Sequence, residues 1–356
     1  MVTSSNGTLN AGSFKSKKAW WLVILFILIT VAGLTYVKWW PYYGKALKAA
    51  ADHSIGSSIL DSGLSARSPS WQAAWDYALV YFNAVWKAAL LGILLGTLVQ
   101  TMLPSQWLLR VLGQHTFKST AAGGLASVPG MMCSCCAAPV AIGMRKKKVS
   151  IGAALAFWIG NPTINPAVLI FMTFVLSWEF TLLRLLFGIV LTFGVSYLAN
   201  RFADDRKTVN LDTQVQEDAS DLGPWWKRWL SNIGTMLLRV IPAYLLAVLL
   251  MGALQVWMFP QVGEAAGNGI LIILFFAVMG TLFVIPTAAE IPIIQAFMSV
   301  GLGAGPAAAL LLTLPSVSLP SLLMMRKSFP AKVLWFVLCS VIVLGVLCGV
   351  TGMLIL

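Results

Sequence analysis

Residues 19–37 carry no charged side chain and form an apolar run long enough to cross a bilayer as a helix. Further apolar runs follow at about 77–103, 149–176, 181–199, 232–258 and 303–325, and a last one fills the C-terminal segment. Lipid offers no hydrogen bonds, so every backbone donor and acceptor in such runs must be satisfied internally, and the fold class is expected to be all-α. With 59% hydrophobic and 10% charged residues the chain stands far from soluble domains, where roughly 25% of residues are charged. The formal net charge of +12 comes from lysines and arginines at the ends of the apolar runs. That is the pattern of positive-inside topology, and it argues against a nucleic-acid partner.

Lys15, Lys17 and Lys18 precede the first run and no Ala-x-Ala site follows it. The run is therefore expected to be retained as a helix, with the N-terminus in the cytoplasm. Trp39, Trp40, Tyr42 and Tyr43 then suit the far interface, with an external loop to about residue 70. The segment 129–139 reads Pro-Gly-Met-Met-Cys-Ser-Cys-Cys-Ala-Ala-Pro and sets Cys133, Cys135 and Cys136 between two prolines. One unbroken helix is disfavoured there, because proline lacks a backbone donor and clashes with the preceding turn. Basic residues lie before the segment, at Arg110 and Lys118, and after it, at Arg145 to Lys148. The segment is therefore expected to be a hairpin that enters and leaves by the cytoplasmic face. The next run is interrupted by Asn161-Pro162-Thr163-Ile164-Asn165-Pro166, the pattern of a discontinuous helix beside a binding site. An acidic segment with Asp204, Asp205, Glu217, Asp218 and Asp221 follows as a cytoplasmic linker.

After the linker the order of features repeats. Gly96, Pro104 and Gly124 have counterparts 156 positions on, at Gly252, Pro260 and Gly280. Pro129 matches Pro286, and Pro162 matches Pro315. In this register Glu290 faces Cys133, and Pro315-Ser316-Val317-Ser318-Leu319-Pro320 stands where the Asn-Pro pairs stood. Keeping Arg145 to Lys148 and Arg326, Lys327 and Lys332 on one side requires the two copies to be inverted. The expectation is a polytopic membrane protein with an inverted structural repeat, seven full spans, two re-entrant helical hairpins and broken transmembrane helices. Its parts are 1–75 (tail, first helix and external loop), 76–199 (first repeat), 200–231 (linker) and 232–356 (second repeat).

Residue types then suggest chemistry. Thiolates select soft metals and thiol-reactive metalloids, and thiols also exchange with disulfides or persulfides. Cys133, Cys135 and Cys136 are the expected substrate-binding groups, and the metal ligands if a metal is held; a structural disulfide or simple packing stays open for them. Lys87 is the expected deep cation near them. Asn161 and Asn165 either line a pathway or satisfy backbone freed by the prolines. Glu290, the one acid of its apolar stretch, is a candidate for binding and for proton coupling or else a structural hydrogen bond. Arg184 and Arg239 are expected to snorkel, Met131 and Met132 to fill gaps, and Cys339 and Cys348 to pack.

Three stretches carry a family resemblance: Pro-Gly-Met-Met-Cys-Ser-Cys-Cys-Ala-Ala-Pro-Val at 129–140, Phe-Trp-Ile-Gly-Asn-Pro-Thr-Ile-Asn-Pro at 157–166, and Phe-Val-Ile-Pro-Thr-Ala-Ala-Glu-Ile-Pro at 283–292. Together with Trp-Pro-Tyr-Tyr-Gly-Lys at 40–45, they resemble the YraQ-type bacterial permeases, a large family that distantly includes organoarsenical efflux permeases. The resemblance implies a permease of the bacterial inner membrane and leaves the solute open. The functional expectation is a secondary transporter, not an enzyme, without cofactor, moving a small thiol-reactive or sulfur-containing solute or metalloid across the lipid bilayer. A membrane thiol redox enzyme or soft-metal carrier using the same cysteines is the alternative, and a homo-oligomer is left open. No Walker motif is present, so an ion gradient or exchange is the expected energy source.

Overall fold

The computed structural model describes residues 17–56, 71–202, 225–259 and 269–356, all built from helices and connecting turns. The tail before Lys17, most of the external loop, and the acidic linker residues from Asp204 to Asp221 lie outside the described residues, as do Pro260 and Glu264. Helix α1 (Lys17–Leu34) runs through a π-helical segment, Thr35–Trp39, into α2 (Trp40–Asp52). The aromatics at 39–43 therefore do not end the first helix, as the interface expectation had it. Pro41 lies within this continuous helix, two residues past the π-helical segment, and Tyr42 is buried edge-on against Phe171. The helix stops at His53, whose Nδ1 lies 2.7 Å from the Phe174 carbonyl oxygen.

The chain continues through α3 (Trp71–Met102), the short α4 (Ser105–Leu112), α5 (Phe117–Ser127) and α6 (Ser134–Lys146). Next come α7 (Ile151–Thr163) and α8 (Pro166–Val175), then α9 (Trp178–Ile189), a second π-helical segment (Val190–Val195) and α10 (Ser196–Ala199). Local chemistry explains the boundaries. Thr116, Ser150 and Asn165 cap α5, α7 and α8 by accepting backbone N–H bonds, and Pro166 opens α8 with a preset φ. Beyond the linker lie α11 (Trp225–Met258), α12 (Ile270–Leu282), α13 (Glu290–Ser299), α14 (Ala304–Ser316), α15 (Leu319–Met325) and α16 (Ala331–Ile355). Six stretches among the described residues are long and apolar enough to cross a bilayer: Trp21–Asp52, Ala74–Met102, Ile151–Val175, Trp178–Phe202, Ala304–Met325 and Ala331–Ile355. The seventh expected span is the single long helix α11, in which Tyr244–Gln255 is an apolar stretch.

Close contacts fix the relative direction of the helices around α7. A Cβ on Gly123 would collide with the Ala153 carbonyl and one on Gly160 with Ser127, so α5 runs parallel to α7. The Trp158 indole donates to the Ser134 carbonyl at 2.8 Å, and α6 joins α7 through a short turn, so α6 runs antiparallel to it. The start of α5 and the end of α6 thus lie together at the Ile151 end, while the turn 128–133 is level with Trp158 and Asn161. In the second half α12 lies parallel to α14, with Gly280 against Thr313 and Gly305 against Ile273.

Helix α6 is clamped to α3 by small residues. Cβ atoms on Gly92, Gly96 and Gly143 would strike the carbonyls of Cys136, Pro139 and Gly96, so the two backbones touch directly. Because the obstacle is backbone and not a flexible side chain, Gly96→Leu is expected to destabilise the protein by about 1–3 kcal/mol, at the level of an overpacked core. A melting curve in detergent unchanged from wild type would contradict that contact.

Candidate functional site

Helix α6 presents its cysteines in two directions. Cys133 stands at the N-cap position of the helix and Cys136 lies three positions on, on the same face, with the two sulfurs 2.9 Å apart. Cys135, one residue from Cys136 and so about 100° around a helix of 3.6 residues per turn, points elsewhere and meets the Ser318 hydroxyl at 3.2 Å. All five cysteines are unbridged, and Cys133, Cys135 and Cys136 are buried. The expected trio is therefore a pair plus one. Among the described residues no three Cys, His, Asp or Glu side chains converge as a metal-binding group.

The Cys133–Cys136 face lines a cavity of about 460 Å³, bounded also by Lys38, Lys45, Lys87, Asn83, Pro286 and Thr287. Its wall reaches Ile55 at the Asp52 end of α2. Lys38 is the residue that sequence reasoning missed. It sits in the π-helical segment, is 5% exposed, and donates to the Tyr42 hydroxyl at 3.0 Å and the Thr287 hydroxyl at 3.1 Å. Its neighbour Trp39 donates its indole N–H to the Pro129 carbonyl at 2.9 Å, so this one segment touches both proline-framed turns. Lys87, the expected deep cation, is exposed and lies over the rings of Tyr36 and Trp86. The signal that could have found Lys38 is a lone lysine set inside an aromatic, apolar run, a costly placement that needs a reason.

The remaining candidates do not line this cavity. Asn161 bonds Met132 N–H through Oδ1 and the Phe157 carbonyl through Nδ2, tying the 128–133 turn to α7. Asn165 caps α8 through Oδ1, while its Nδ2 is buried without a hydrogen-bond partner among the described residues. Glu290 pairs with Arg184 at 2.8 Å, each side chain being 1% exposed. The expectation that Arg184 snorkels is thus wrong. Pro166 has no N–H to give the Pro162 carbonyl, and Arg184 supplies it instead, donating to Pro162 O at 2.8 Å and to Thr163 O at 3.4 Å. The guanidinium fits this role because it offers five donors in a fixed fork. Met132 is buried and Met131 takes a left-handed φ of 49° in the turn. Cys339 is exposed and Cys348 packs with its thiol on the Ala308 carbonyl.

The two halves of the chain meet at these turns. Ser134 and Cys135 on α6 reach Ser318 in the break between α14 and α15. Glu290 at the start of α13 reaches, through Arg184, the break between α7 and α8. Beyond Cys135 the tyrosines close ranks: the Tyr81 and Tyr244 hydroxyls are 2.7 Å apart and Tyr77 donates to the Val284 carbonyl. On the Cys135 face an apolar cavity of about 330 Å³ is lined by Phe82, Trp86, Pro139, Tyr244 and Met324. A further cavity of about 810 Å³ is bounded by Arg145, Lys146, Arg326 and Lys327. Arg145 Nε reaches the Ser328 carbonyl at 3.5 Å, which puts both basic runs at one end of the molecule.

Six membrane-length apolar helical stretches among the described residues, two of them broken, define a multi-pass membrane protein. The chain belongs to the ArsP_1 family, described as "Predicted permease", whose model matches residues 84–354. It is 52% identical over 331 residues to UPF0718 protein YraQ of Escherichia coli (strain K12), covering 93% of this chain and 94% of that one. It is also 24% identical over 332 residues to UPF0718 protein MJ0584 of Methanocaldococcus jannaschii, covering 74% of this chain and 90% of that protein. No solved structure matches the chain.

Proposed function

We propose that this protein is a secondary transporter of the inner membrane that binds a small thiol-reactive or sulfur-containing solute at Cys133 and Cys136. The observation that carries the proposal is the placement of these paired sulfurs on a cavity wall, at the depth where both proline-framed turns and both helix breaks meet. Two neighbouring thiols grip a soft or thiophilic centre in a way one thiol cannot. Residues 76–199 and 232–356 act as inverted repeats, each with a re-entrant hairpin, and residues 200–231 link them on the cytoplasmic side with the N-terminus. The lengths support re-entry: α5, α6, α12 and α13 have 11, 13, 13 and 10 residues. At 1.5 Å per residue each falls short of a core about 30 Å thick. Arg145 and Ser328 meeting at one end supports the shared cytoplasmic placement of the basic runs. Glu290 couples transport by exchanging Arg184 for a proton, which frees the break in α7 and α8 to move. Asn161 and Asn165 hold the hairpin and that break in shape instead of contacting solute.

Flux in proteoliposomes across thiophilic metalloids, sulfur oxyanions and low-molecular-weight thiols tests this reading. The expected outcome is saturable, gradient-driven flux for one class. Absence of flux with every class, alongside dithiol–disulfide turnover, would favour the redox alternative, which the 2.9 Å separation of Cys133 and Cys136 also fits. The topology has its own check. In a variant lacking native cysteines, Thr287→Cys is expected to react with an impermeant maleimide from the periplasmic face, through the cavity it lines. Reaction from the cytoplasmic face alone would overturn the second hairpin's direction.

A further inference from the structure

Among the described residues, the cavity that reaches Cys133 and Cys136 is lined by three lysines, Lys38, Lys45 and Lys87, and by no aspartate or glutamate. Glu290, the acid of the adjoining turn, is turned away into its pair with Arg184. Lys38 is the telling residue. A buried ammonium is costly unless a counter-charge or a full set of hydrogen bonds meets it. An ammonium has three donors, and those of Lys38 find two neutral hydroxyls, Tyr42 and Thr287, with no carboxylate among the described residues within ion-pair distance. The same side chain lines the cavity alongside the two thiols. Lys45, toward the Asp52 end, and Lys87, level with Tyr36, raise the positive potential in the cavity, and the apolar walls focus it.

We infer that the cargo is an anion: a solute whose negative group pairs with Lys38 while its thiophilic part meets Cys133 and Cys136, attracted also by Lys45 and Lys87 on the same cavity wall. This inference rests on the thiol-based reading above and adds the charge of the cargo to it. A neutral or cationic solute leaves the Lys38 ammonium without its counter-charge in the loaded state, and a cation is repelled by all three lysines. An anion lacking a thiophilic atom satisfies Lys38 and leaves the sulfurs idle, so both features are needed for tight binding.

Two probes that differ by one charge separate the ideas. Phenylarsine oxide and its 4-carboxy derivative share the same thiol chemistry. The arsenic forms two As–S bonds, two S–H bonds are lost, the arsenic-bound oxygen leaves as water, and no oxidation state changes. In the purified full-length protein, the carboxylate probe is expected to bind about tenfold more tightly than the neutral one at low salt, and the preference to shrink as salt rises. Lys38→Gln is expected to abolish the preference, and Lys38→Arg to keep it. Should Lys38→Gln fail to fold, the double variant Lys45→Gln/Lys87→Gln, changed at exposed positions, is expected to lower the preference about threefold with folding intact. Equal binding of the two probes by the wild-type protein, or a preference unchanged in Lys38→Gln or in the double variant, would overturn the inference. Failure of the thiol reading looks different: Cys133→Ser/Cys136→Ser would then bind both probes as the wild type does.

Discussion

Cys133→Ser and Cys136→Ser are each expected to abolish flux of the transported solute, and Cys135→Ser to leave most of it. The asymmetry follows from the geometry of α6, where Cys133 and Cys136 share a face with sulfurs 2.9 Å apart and Cys135 is turned to Ser318. With one thiol engaged, the second bond is intramolecular, so losing either partner forfeits an advantage of about 100-fold or more in apparent affinity. Cys135→Ser replaces a thiol by a smaller hydroxyl that can still meet Ser318, and less than about a threefold loss is expected because that bond is a neutral one of modest net worth. Initial rates at several solute concentrations separate loss of affinity from loss of protein. Equal loss in all three variants would show that the cysteines act as one packed cluster and not as a pair. A mild thiol oxidant should mimic Cys133→Ser in the wild type, reversibly with dithiothreitol, because the neighbouring sulfurs can join.

Glu290→Leu is expected to lower stability by about 3–5 kcal/mol, the usual consequence of leaving a buried charge without its partner. Restoring apolar balance with Arg184→Leu/Glu290→Leu is expected to recover only part of that loss. The guanidinium also serves the carbonyls of Pro162 and Thr163, and without it these remain buried and unmet at about 1–3 kcal/mol. Full recovery in the double variant would mean that the carbonyls find other donors and that Arg184 serves Glu290 alone. Unfolding in detergent micelles measures both. Flux carries a second readout. Glu290→Gln holds the side chain neutral, so a pH-dependent rate in the wild type should flatten, whereas an unchanged pH profile would remove Glu290 from the coupling step while leaving its structural role intact.

Much of this was legible in the residues. The Pro-framed segment 129–139 and its counterpart at 286–292 mark turns because proline cannot donate to a helix, and in both places the helix is broken. The Asn-Pro pairs mark the α7–α8 break for the same reason. The spacing of Cys133, Cys135 and Cys136 already implied two faces, since three positions make nearly one helical turn and one position makes about 100°. That inference needed the start of α6, which fell between a glycine and a proline with no clear local signal. Asn161 and Asn165 divided the other way. Their residue type suited a pathway, but the carbonyls and amides that the broken helix leaves open claimed their hydrogen bonds first.

Lys38 and Arg184 mark where local reasoning stops. In the sequence, Lys38 sits beside aromatics that suggest an interface, and Arg184 sits near the start of a span, from which a long side chain can reach water. Whether a charge is exposed or buried depends on what packs across from it, and those partners, Thr287 and Glu290, lie 249 and 106 residues away. What the chain determined by itself was governed by the backbone: helices wherever lipid demands internal hydrogen bonds, and breaks within the proline-paired segments at 129–139, 162–166 and 315–320, although Pro139, Pro162, Pro242 and Pro315 themselves stay inside helices. What the tertiary structure alone decided was the company each polar group keeps, because the free energy of a buried charge is set by the few ångströms around it and not by its neighbours in sequence.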